Sequence, residues 1–262
     1  AVALILGLLI ADLFLAVRPG LSLTGGSPSV FWPRPAWLEP LLADSTSRLD
    51  SQNLFHANVG EIYGLQDIRG ISPLKPAVVE RYESLPRPLR WQLLNVTHVL
   101  APEAIEPGLT PVADIEESII PGEHLDATVY RYEDALPRAW LSHEPIIAAD
   151  TDTALALMLA PEFDPARQVV LTPAAEAHAA TVSPLAGATR VTTALHPRGL
   201  DLSVTTTTPA FLVISEFARD GWRATLDGES LPLLPANAGL MALPAPAGAH
   251  TRALRFQPWD VP

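Results

Sequence analysis

The sequence contains no cysteine among its 262 residues. This absence excludes disulfide bonds, thiolate metal sites and a cysteine nucleophile. A cysteine-free chain is compatible with either side of a bacterial membrane, so its redox chemistry does not decide the compartment.

Positive charge is scarce. The chain has 17 Lys and Arg residues against 29 Asp and Glu residues, which gives a formal net charge of −12. An acidic surface repels the phosphate backbone of nucleic acids, so we predict no nucleic-acid partner. For the same reason, we do not expect the folded part to be attracted to an anionic membrane surface.

The motifs that mark common catalytic and cofactor sites are missing as well. There is no GxSxG elbow, no Walker loop and no GxGxxG turn. The seven histidines are scattered, and Pro145 directly after His143-Glu144 rules out an HExxH helix. We therefore predict no catalytic residue, no metal site and no cofactor in this chain. Whether a longer protein that contains it is an enzyme stays open.

One acidic motif, Asp150-Thr151-Asp152, has two interpretations. In nucleotide-sugar glycosyltransferases, a DxD pair holds a divalent cation on the diphosphate. Here the motif precedes a helical pattern, where carboxylates cap the first turn and interact favourably with the helix dipole. We favour the capping interpretation, because a chance DxD arises easily among so many acidic residues.

Proline is abundant, with 27 residues. Because proline removes a backbone donor and breaks helices, long regular elements are expected only in proline-free windows. The length suits one large or two small domains, and 48% hydrophobic residues allow a sizeable core. Four proline-free windows stand out: 1–18, 41–72, 146–160 and 198–208.

Residues 1–17 are apolar except for Asp12. As a helix they would span about 25 Å, near the lower limit for a bilayer core of about 30 Å. We predict that residues 1–18 are the end of a transmembrane helix that begins before this sequence. The alternative is a buried core helix of a soluble protein.

Residues 19–44 are rich in Pro, Gly and Ser and are predicted to form an irregular linker. Phe31, Trp32 and Trp37 leave a second interpretation open, an interfacial belt whose indoles lie at the level of the lipid headgroups.

Residues 45–180 mix helix-like and strand-like patterns, which predicts a mixed α/β domain. We expect residues 101–125 to be a solvated loop with at most one strand. The predicted helices are 74–85 and 151–159, the predicted strands are 47–54, 95–100, 127–132, 136–141 and 168–172, and glycine-bounded turns lie at 58–65.

Residues 181–262 read as strands separated by turns. Leu200, Leu202 and Val204 alternate with polar residues, and Asp227-Gly228 is a strong hairpin signal. This spacing predicts an antiparallel β-sandwich. The predicted fold class is therefore α+β: a mixed α/β part, then a β-sandwich, preceded by the end of a transmembrane helix.

The chain contains a series of short motifs whose order is distinctive. They are Asp12-Leu13, Tyr63-Gly64-Leu65, Leu93–Leu100, Leu136–Ala139, Gly221–Ala224, Asp227-Gly228, Ala236-Asn237 and Pro246–His250. Taken in this order, the motifs resemble the C-terminal extracytoplasmic region of YfhO-like bacterial membrane proteins. Phe217–Asp220 departs from this pattern, because the family often has two aromatic residues or a proline there.

The resemblance implies a polytopic protein of the bacterial cell membrane, similar to GT-C-type glycosyltransferases that use polyprenyl-phosphate sugars on the outer side. In that class, the catalytic carboxylate usually lies in an early loop between membrane helices, and nothing in this sequence corresponds to that loop. We therefore expect a non-catalytic accessory domain on the extracytoplasmic side. Its partners would be a lipid-linked sugar or a cell-envelope glycan, and the membrane through the N-terminal helix.

Five residues are candidates for substrate binding. Glu61, Tyr63, Asp67 and Arg69 cluster around glycines in a loop that could contact a sugar or a polyprenyl phosphate, although turn geometry alone also explains the glycines. Trp222 could stack on a carbohydrate, but a core position beneath the sandwich explains it as well.

A second function of a different class also fits the sequence. The chain could be a carbohydrate- or protein-binding β-sandwich module that one helix anchors to the membrane.

Overall fold

The computed structural model describes residues 2–17, 34–55, 58–70, 74–117, 124–182 and 189–257. The chain is 24% helical and 41% strand, so the expected mixture of helices and strands is confirmed and strand pairing dominates. The helices are α1 (Val2–Val17), α2 (Glu39–Leu42), α3 (Ala77–Glu83), α4 (Arg87–Leu93), α5 (Thr151–Met158) and α6 (Glu176–Ala179), and short 3-10 turns lie at Ala36–Leu38, Val59–Tyr63 and Pro173–Ala175.

The strands of the described residues form three sheets. They are β1 (Arg48–Asp50), β2 (Val96–Ala101), β3 (Leu109–Glu117), β4 (His124–Tyr132), β5 (Ala139–Ser142), β6 (Glu144–Ile147), β7 (Gln168–Leu171), β8 (Thr189–His196), β9 (Gly199–Thr206), β10 (Ala210–Phe217), β11 (Trp222–Leu226), β12 (Glu229–Leu231), β13 (Leu234–Ala236), β14 (Leu240–Ala245) and β15 (Gly248–Phe256).

The first sheet has four strands in the order β1-β2-β4-β3. β1 pairs with β2 in parallel, whereas β4 is antiparallel to both β2 and β3. The single strand that the sequence allowed within residues 101–125 is β3, which extends over nine residues. Helix α4, which the sequence patterns did not predict, precedes β2 directly.

The second sheet has six strands in the order β5-β10-β14-β13-β7-β6. Its central strand β10 is buried from Ala210 to Ser215, which explains why its sequence is apolar without alternation. The sheet joins strands from both sides of residue 181. The domain boundary that we expected there is therefore corrected: the hydrogen bonds of β5 to β10 and of β7 to β13 cross it.

The third sheet has five antiparallel strands in the order β12-β11-β15-β9-β8. The predicted alternation is present in β9, where Leu200, Leu202 and Val204 are buried and the residues between them are not. These buried side chains pack against Leu212, Ile214 and other residues of β10 and β14. One face of the six-stranded sheet therefore covers the apolar face of the five-stranded sheet.

The opposite face of the six-stranded sheet packs on helices α3, α4 and α5. Phe211 and Val213 of β10 contact a core that contains Tyr82, Trp91 and Met158 from these helices. This arrangement places α3 and α4 between the six-stranded and the four-stranded sheet, where the main cleft of the molecule opens.

Trp37 corrects the prediction for residues 19–44. Residues 18–33, including Phe31 and Trp32, lie outside the described residues. Trp37 is 7% exposed, and its ring centroid lies 5.9 Å from that of Phe55. Because Trp37 and Leu38 pack on the four-stranded sheet, the described end of this segment belongs to the core and is neither a linker nor a membrane-interface belt.

Helix α1 has the helical conformation that the sequence predicts. The side chains of residues 5–15 are exposed throughout, with Leu8 at 64% and Ile10 at 66%. This finding argues against the alternative of a buried core helix. Among the described residues, no helix combines the length and the apolar character needed to cross a membrane.

Candidate functional site

The glycine-bounded loop at residues 58–70 follows the edge of the four-stranded sheet. Asn58 and Gly64 adopt positive φ angles of 64° and 74° and enclose a 3-10 turn. The loop then runs beside β1, because the Leu49 N–H donates to Gln66 O at 3.0 Å and the Ile68 N–H donates to Leu49 O at 2.9 Å. This pairing brings Asp67 and Arg69 next to the buried end of β1.

Asp50 at the end of β1 is a fully buried carboxylate, with 0% exposure. It accepts hydrogen bonds from Arg69 Nε at 2.7 Å, Trp91 Nε1 at 2.8 Å and the Gln52 N–H at 3.1 Å. Arg90 lies beside it, with Nη2 at 3.7 Å from Oδ2. Two guanidiniums therefore face one carboxylate.

Asp67 shapes the loop from its inner side. Its Oδ1 accepts from the Arg69 N–H at 2.9 Å and from the Ser51 N–H at 3.2 Å. Burial raises the pKa of the Asp67 carboxyl, and the nearby charge of Asp50 adds to this shift. Both effects disfavour the charged form, whereas the hydrogen bonds from Ser51 and from the Arg69 N–H favour it.

A second pair of arginines shares Glu216, at the end of β10. Arg48 Nη2 donates to Glu216 Oε1 at 3.0 Å, and Arg138 contacts the same oxygen. Arg48 Nη1 also donates to Ser215 Oγ at 2.8 Å and to Leu94 O at 3.0 Å. Burial and the neighbouring Arg138 lower the pKa of Arg48 to about 10, which still leaves it cationic at neutral pH.

Some of these groups line a cavity of about 210 Å³, here named the inner pocket. Its polar wall is formed by Arg48, Arg69 and Arg90, together with Asp67 and Ser215. Its apolar wall comes from α3 and from the end of β10, with Val79, Tyr82, Phe217 and their neighbours.

A wider hollow of about 730 Å³, here named the outer cleft, adjoins the inner pocket, because both share the lining residues Asp67, Arg69, Arg90 and others. Asn53, Asn58, Glu61 and Lys75 add polar groups at its mouth. A polyhydroxylated ligand could find both donors and acceptors there.

The structure brings together three of the five predicted binding residues. Glu61, Asp67 and Arg69 all line the outer cleft, and Asp67 and Arg69 also line the inner pocket. Tyr63 lies elsewhere, in a hollow of about 180 Å³ beside β1 and His98. Burial raises the pKa of its hydroxyl.

Trp222 lies apart from the cleft. It is 9% exposed, and its ring centroid is 5.3 Å from that of Phe256. It packs with Leu200, Ala224 and Leu254 between the two large sheets. This environment supports the core interpretation over carbohydrate stacking, which requires an accessible ring face.

Asp150 acts as a helix cap. Its Oδ1 accepts the Thr153 N–H of α5 at 2.8 Å, and this hydrogen bond lowers the pKa of the carboxyl. The geometry is that of an N-cap and agrees with the interpretation that we favoured. Within the described parts of the chain, no group of three or more His, Asp or Glu residues is placed to hold a metal ion.

Sequence reasoning missed two of the three arginines that line the inner pocket, Arg48 and Arg90. Arg48 contacts Ser215 and Glu216, which lie 167 and 168 positions away in the sequence. Arg90 stands between Leu89 and Trp91 in a short helix, and a charged residue inside such an apolar run is the only local signal of its burial. Local periodicity does not report contacts over these distances.

Comparison of the chain with protein-family models, with curated proteins and with solved structures found no match. The resemblance to YfhO-like proteins therefore depends on the sequence motifs alone. The function has to be proposed from those motifs and from the geometry of the cleft.

Proposed function

We propose that this chain is an extracytoplasmic accessory domain of a membrane glycosyltransferase-like protein, and that it binds polyprenyl-phosphate sugars without catalysing their transfer. The observation that carries the proposal is the cleft. Buried arginines at its inner end adjoin an outer part lined by amides and by the carboxylate of Glu61. A phosphate joined to a sugar would match this arrangement, with the phosphate beside the arginines and the sugar hydroxyl groups in the outer part.

The architecture that we propose for the C-terminal part is an antiparallel β-sandwich. Its two layers would be the five-stranded sheet and the face of the six-stranded sheet that packs on it. A sandwich of this kind is rigid and supports a ligand cleft at its edge without moving. Ser215 and Glu216 of β10 are the residues through which the sandwich would reach the cleft.

The proposed location is the bacterial cell membrane, with the folded part on the extracytoplasmic side. Support comes from the exposed apolar surface of α1, since a helix with such a surface is stable in lipid and poorly solvated in water. A membrane-bound domain would meet lipid-linked sugars at the bilayer surface.

Vesicle binding tests this function. The chain is reconstituted into vesicles with polyprenyl-phosphate hexose, with polyprenyl phosphate, or with neither, and bound lipid is measured after affinity capture of the protein from detergent. We expect the sugar-bearing lipid to be retained preferentially and Arg69→Gln to reduce its retention. Arg131→Gln is the matched control, because Arg131 lies on β4 with an exposed side chain. Equal retention of all lipids, or sugar transfer by this chain alone, contradicts the proposal.

A second function of a different class is favoured by one observation. The outer face of the five-stranded sheet forms a shallow hollow of about 560 Å³ that is rich in hydroxyl groups, including Thr192, Ser203 and Thr251. A sandwich module that binds a glycan or a protein would use such a face. Glycan binding that is lost in Thr251→Val and unchanged in Arg69→Gln would establish this alternative.

A further inference from the structure

We infer that a hollow beside the β8–β9 turn binds the carboxylate of an acidic sugar through Arg198 and Arg219. This hollow, here named the basic hollow, has a volume of about 290 Å³ and shares no lining residue with the inner pocket or the outer cleft. The inference rests on the proposed function for one point, that the ligand is a saccharide. The carboxylate follows from the side chains that line the hollow, which include Arg138, Arg198, Glu216, Arg219, Trp222 and Phe256.

Phe256 at the end of β15 brings the two arginines together. Its N–H donates to Arg198 O at 2.8 Å, which fixes the β8–β9 turn beside it. Its ring lies under the guanidinium of Arg219, with Cζ 4.4 Å from the ring centroid. A cation–π contact restricts an arginine side chain without pairing its charge with a carboxylate. Arg219 is therefore held in place while its charge stays available to a ligand.

The donors of both arginines are free and reach solvent. Arg198 and Arg219 are exposed, and among the described residues neither side chain takes part in a hydrogen bond or an ion pair. Arg138 in the same hollow differs, because its guanidinium is already bonded to Gln66 and Glu216. A ligand in the basic hollow can thus contact Arg198 and Arg219 without displacing a partner from the protein.

Positive charge remains in excess after the nearby carboxylates are counted. The carboxylates that already have arginine partners are Glu216, with Arg48 and Arg138, and Asp201, with Arg255. Asp220 is the neighbour of Arg219 in the sequence and forms no ion pair within the described part of the chain, so it offsets at most one of the two free arginines. At least one positive charge is therefore left for an anion.

The other walls favour a sugar acid over a sugar phosphate. Both arginine contacts of Glu216 use Oε1, so Oε2 can accept a hydrogen bond from a hydroxyl group, whereas the carboxylate repels a doubly charged phosphate. Leu195 and Pro197 add an apolar wall, against which the face of a pyranose ring can lie. A carboxylate matches the planar fork of Arg219 with its two oxygens. The volume of the hollow suits a single small ring.

Calorimetric titration of the folded protein with glucuronate, with glucose and with acetate tests the site. We expect glucuronate to bind more tightly than either of the others. Arg219→Gln should weaken its binding by about tenfold to a hundredfold, the usual effect of removing a charged hydrogen bond. Arg190→Gln is the matched control, because Arg190 is an exposed arginine of β8 that does not line the hollow. It should leave the affinity unchanged.

Absence of glucuronate binding to the wild-type protein, or unchanged affinity in Arg219→Gln, overturns the inference. Acetate that binds as tightly as glucuronate overturns the assignment to a sugar, and tighter binding of glucose 1-phosphate overturns the assignment to a carboxylate. If circular dichroism shows that Arg219→Gln is unfolded, Arg219→Lys replaces it. This variant keeps the charge and loses the planar fork, so we expect about tenfold weaker binding. Wild-type affinity in folded Arg219→Lys is then the contradicting result.

The site and the proposed function fail in different experiments. If glucuronate binds in an Arg219-dependent manner and polyprenyl-phosphate hexose is not retained, the site stands and the proposed function fails. If the lipid-linked hexose is retained in an Arg69-dependent manner and glucuronate does not bind, the site fails and the proposed function stands.

Discussion

At the residue scale, this protein depends on carboxylates that are shared between arginines. Asp50 is fully buried with Arg69 and Arg90 beside it, and Glu216 is shared by Arg48 and Arg138. Burying such charges costs desolvation energy, which their mutual attraction offsets only when all partners are present. The loss of one partner should therefore be more damaging than its contact distance suggests.

We predict that Asp50→Ala lowers the free energy of unfolding by about 3–5 kcal/mol, because it leaves Arg69 and the indole N–H of Trp91 without their buried acceptor. Urea denaturation followed by circular dichroism measures this change. The matched control is Asp126→Ala on β4, where the side chain is exposed and the expected effect is small. A loss below about 1 kcal/mol for Asp50→Ala would contradict the assigned role.

Asp227 is an exposed carboxylate that nevertheless has defined hydrogen-bond partners. It lies in the β11–β12 turn with φ of 49° and accepts from the Thr251 N–H at 2.8 Å, and its Oδ2 lies 2.8 Å from His250 Nδ1. The hydrogen bond with His250, followed by the one from Thr251, lowers the pKa of the Asp227 carboxyl to about 2 from 3.8. The Asp227 carboxylate therefore takes up a proton at lower pH in the folded state than in the unfolded chain.

Stability contributed by Asp227 is present above pH 3.8 and is lost as the pH falls through that value toward about 2. We predict that Asp227→Asn, which tolerates the turn conformation, makes the fall of the melting temperature in this window shallower. Thermal melts from pH 2 to pH 5 provide the measurement. Glu229→Gln, on the same hairpin, should retain the wild-type slope, and the same slope in Asp227→Asn would refute the prediction.

At the element scale, local signals define the helices and turns, and long-range contacts place them. Helix α5 begins at its Asp150 cap. Helix α3 depends on a distant turn, because Tyr82 Oη donates to Asn237 O at 2.6 Å and Arg81 Nη1 donates to Ala238 O at 2.8 Å. The position of α3 shapes the inner pocket, since Val79 and Tyr82 belong to its apolar wall.

For α5, we predict that Asp150→Ala lowers the melting temperature by about 2–4 °C, the usual effect of losing an N-cap in a protein of this size. Asp152→Ala is the control, because Asp152 does not cap the helix. In an assay of the intact protein for sugar transfer from a polyprenyl-phosphate donor, Asp150→Ala/Asp152→Ala should retain wild-type activity. A loss of transfer in this variant at unchanged folding would restore the cation-binding interpretation of the DxD motif.

For α3, we predict that Gly239→Ala lowers the free energy of unfolding by about 1–3 kcal/mol through overpacking. A Cβ at this position would lie 2.4 Å from Val78 Cγ2 and 2.9 Å from Tyr82 Cε2, so the helix would have to move. Chemical denaturation measures the loss. Gly60→Ala is the matched substitution, because its Cβ would make only ordinary contacts. Equal stability of the two variants would show that α3 is not held by this turn.

At the scale of the whole molecule, the three sheets and the helices between them form successive layers. The five-stranded sheet packs on the six-stranded sheet, helices α3 and α4 cover its other face, and the four-stranded sheet follows. Helix α1 is the exception, since the described side chains of residues 5–15 are all exposed. Its apolar surface contributes nothing to the core and would be covered in a membrane.

We predict that removal of residues 1–17 leaves the fold intact and abolishes association with vesicles. The reason is that the described side chains of this segment, those of residues 5–15, are all exposed, so that the truncation removes apolar surface rather than core contacts. Circular dichroism and vesicle flotation measure the two effects. Flotation of the shortened chain at the wild-type level would mean that another part of the molecule binds lipid.

Much of the local structure was predictable from the sequence. Helix α5 with its Asp150 cap, strand β9 with its alternating leucines, and the hairpin at Asp227-Gly228 follow from rules that act within a few residues. The loop at residues 58–70 was also recognisable, because its glycine spacing requires tight turns. Three of its four candidate residues do line a cleft.

Only the tertiary structure decided which elements pair and what the cleft contains. Strands β5 and β7 join a sheet with β10 and β13 across the expected boundary, since strand pairing satisfies backbone donors without a local sequence code. Trp37 and Trp222 became core residues because packing buried them. The inner pocket formed because folding carried Arg48 to Glu216, across 168 positions of sequence. The sequence by itself thus determined many of the helices and strands and the loop at residues 58–70. Long-range packing determined which charged side chains lie beside that loop.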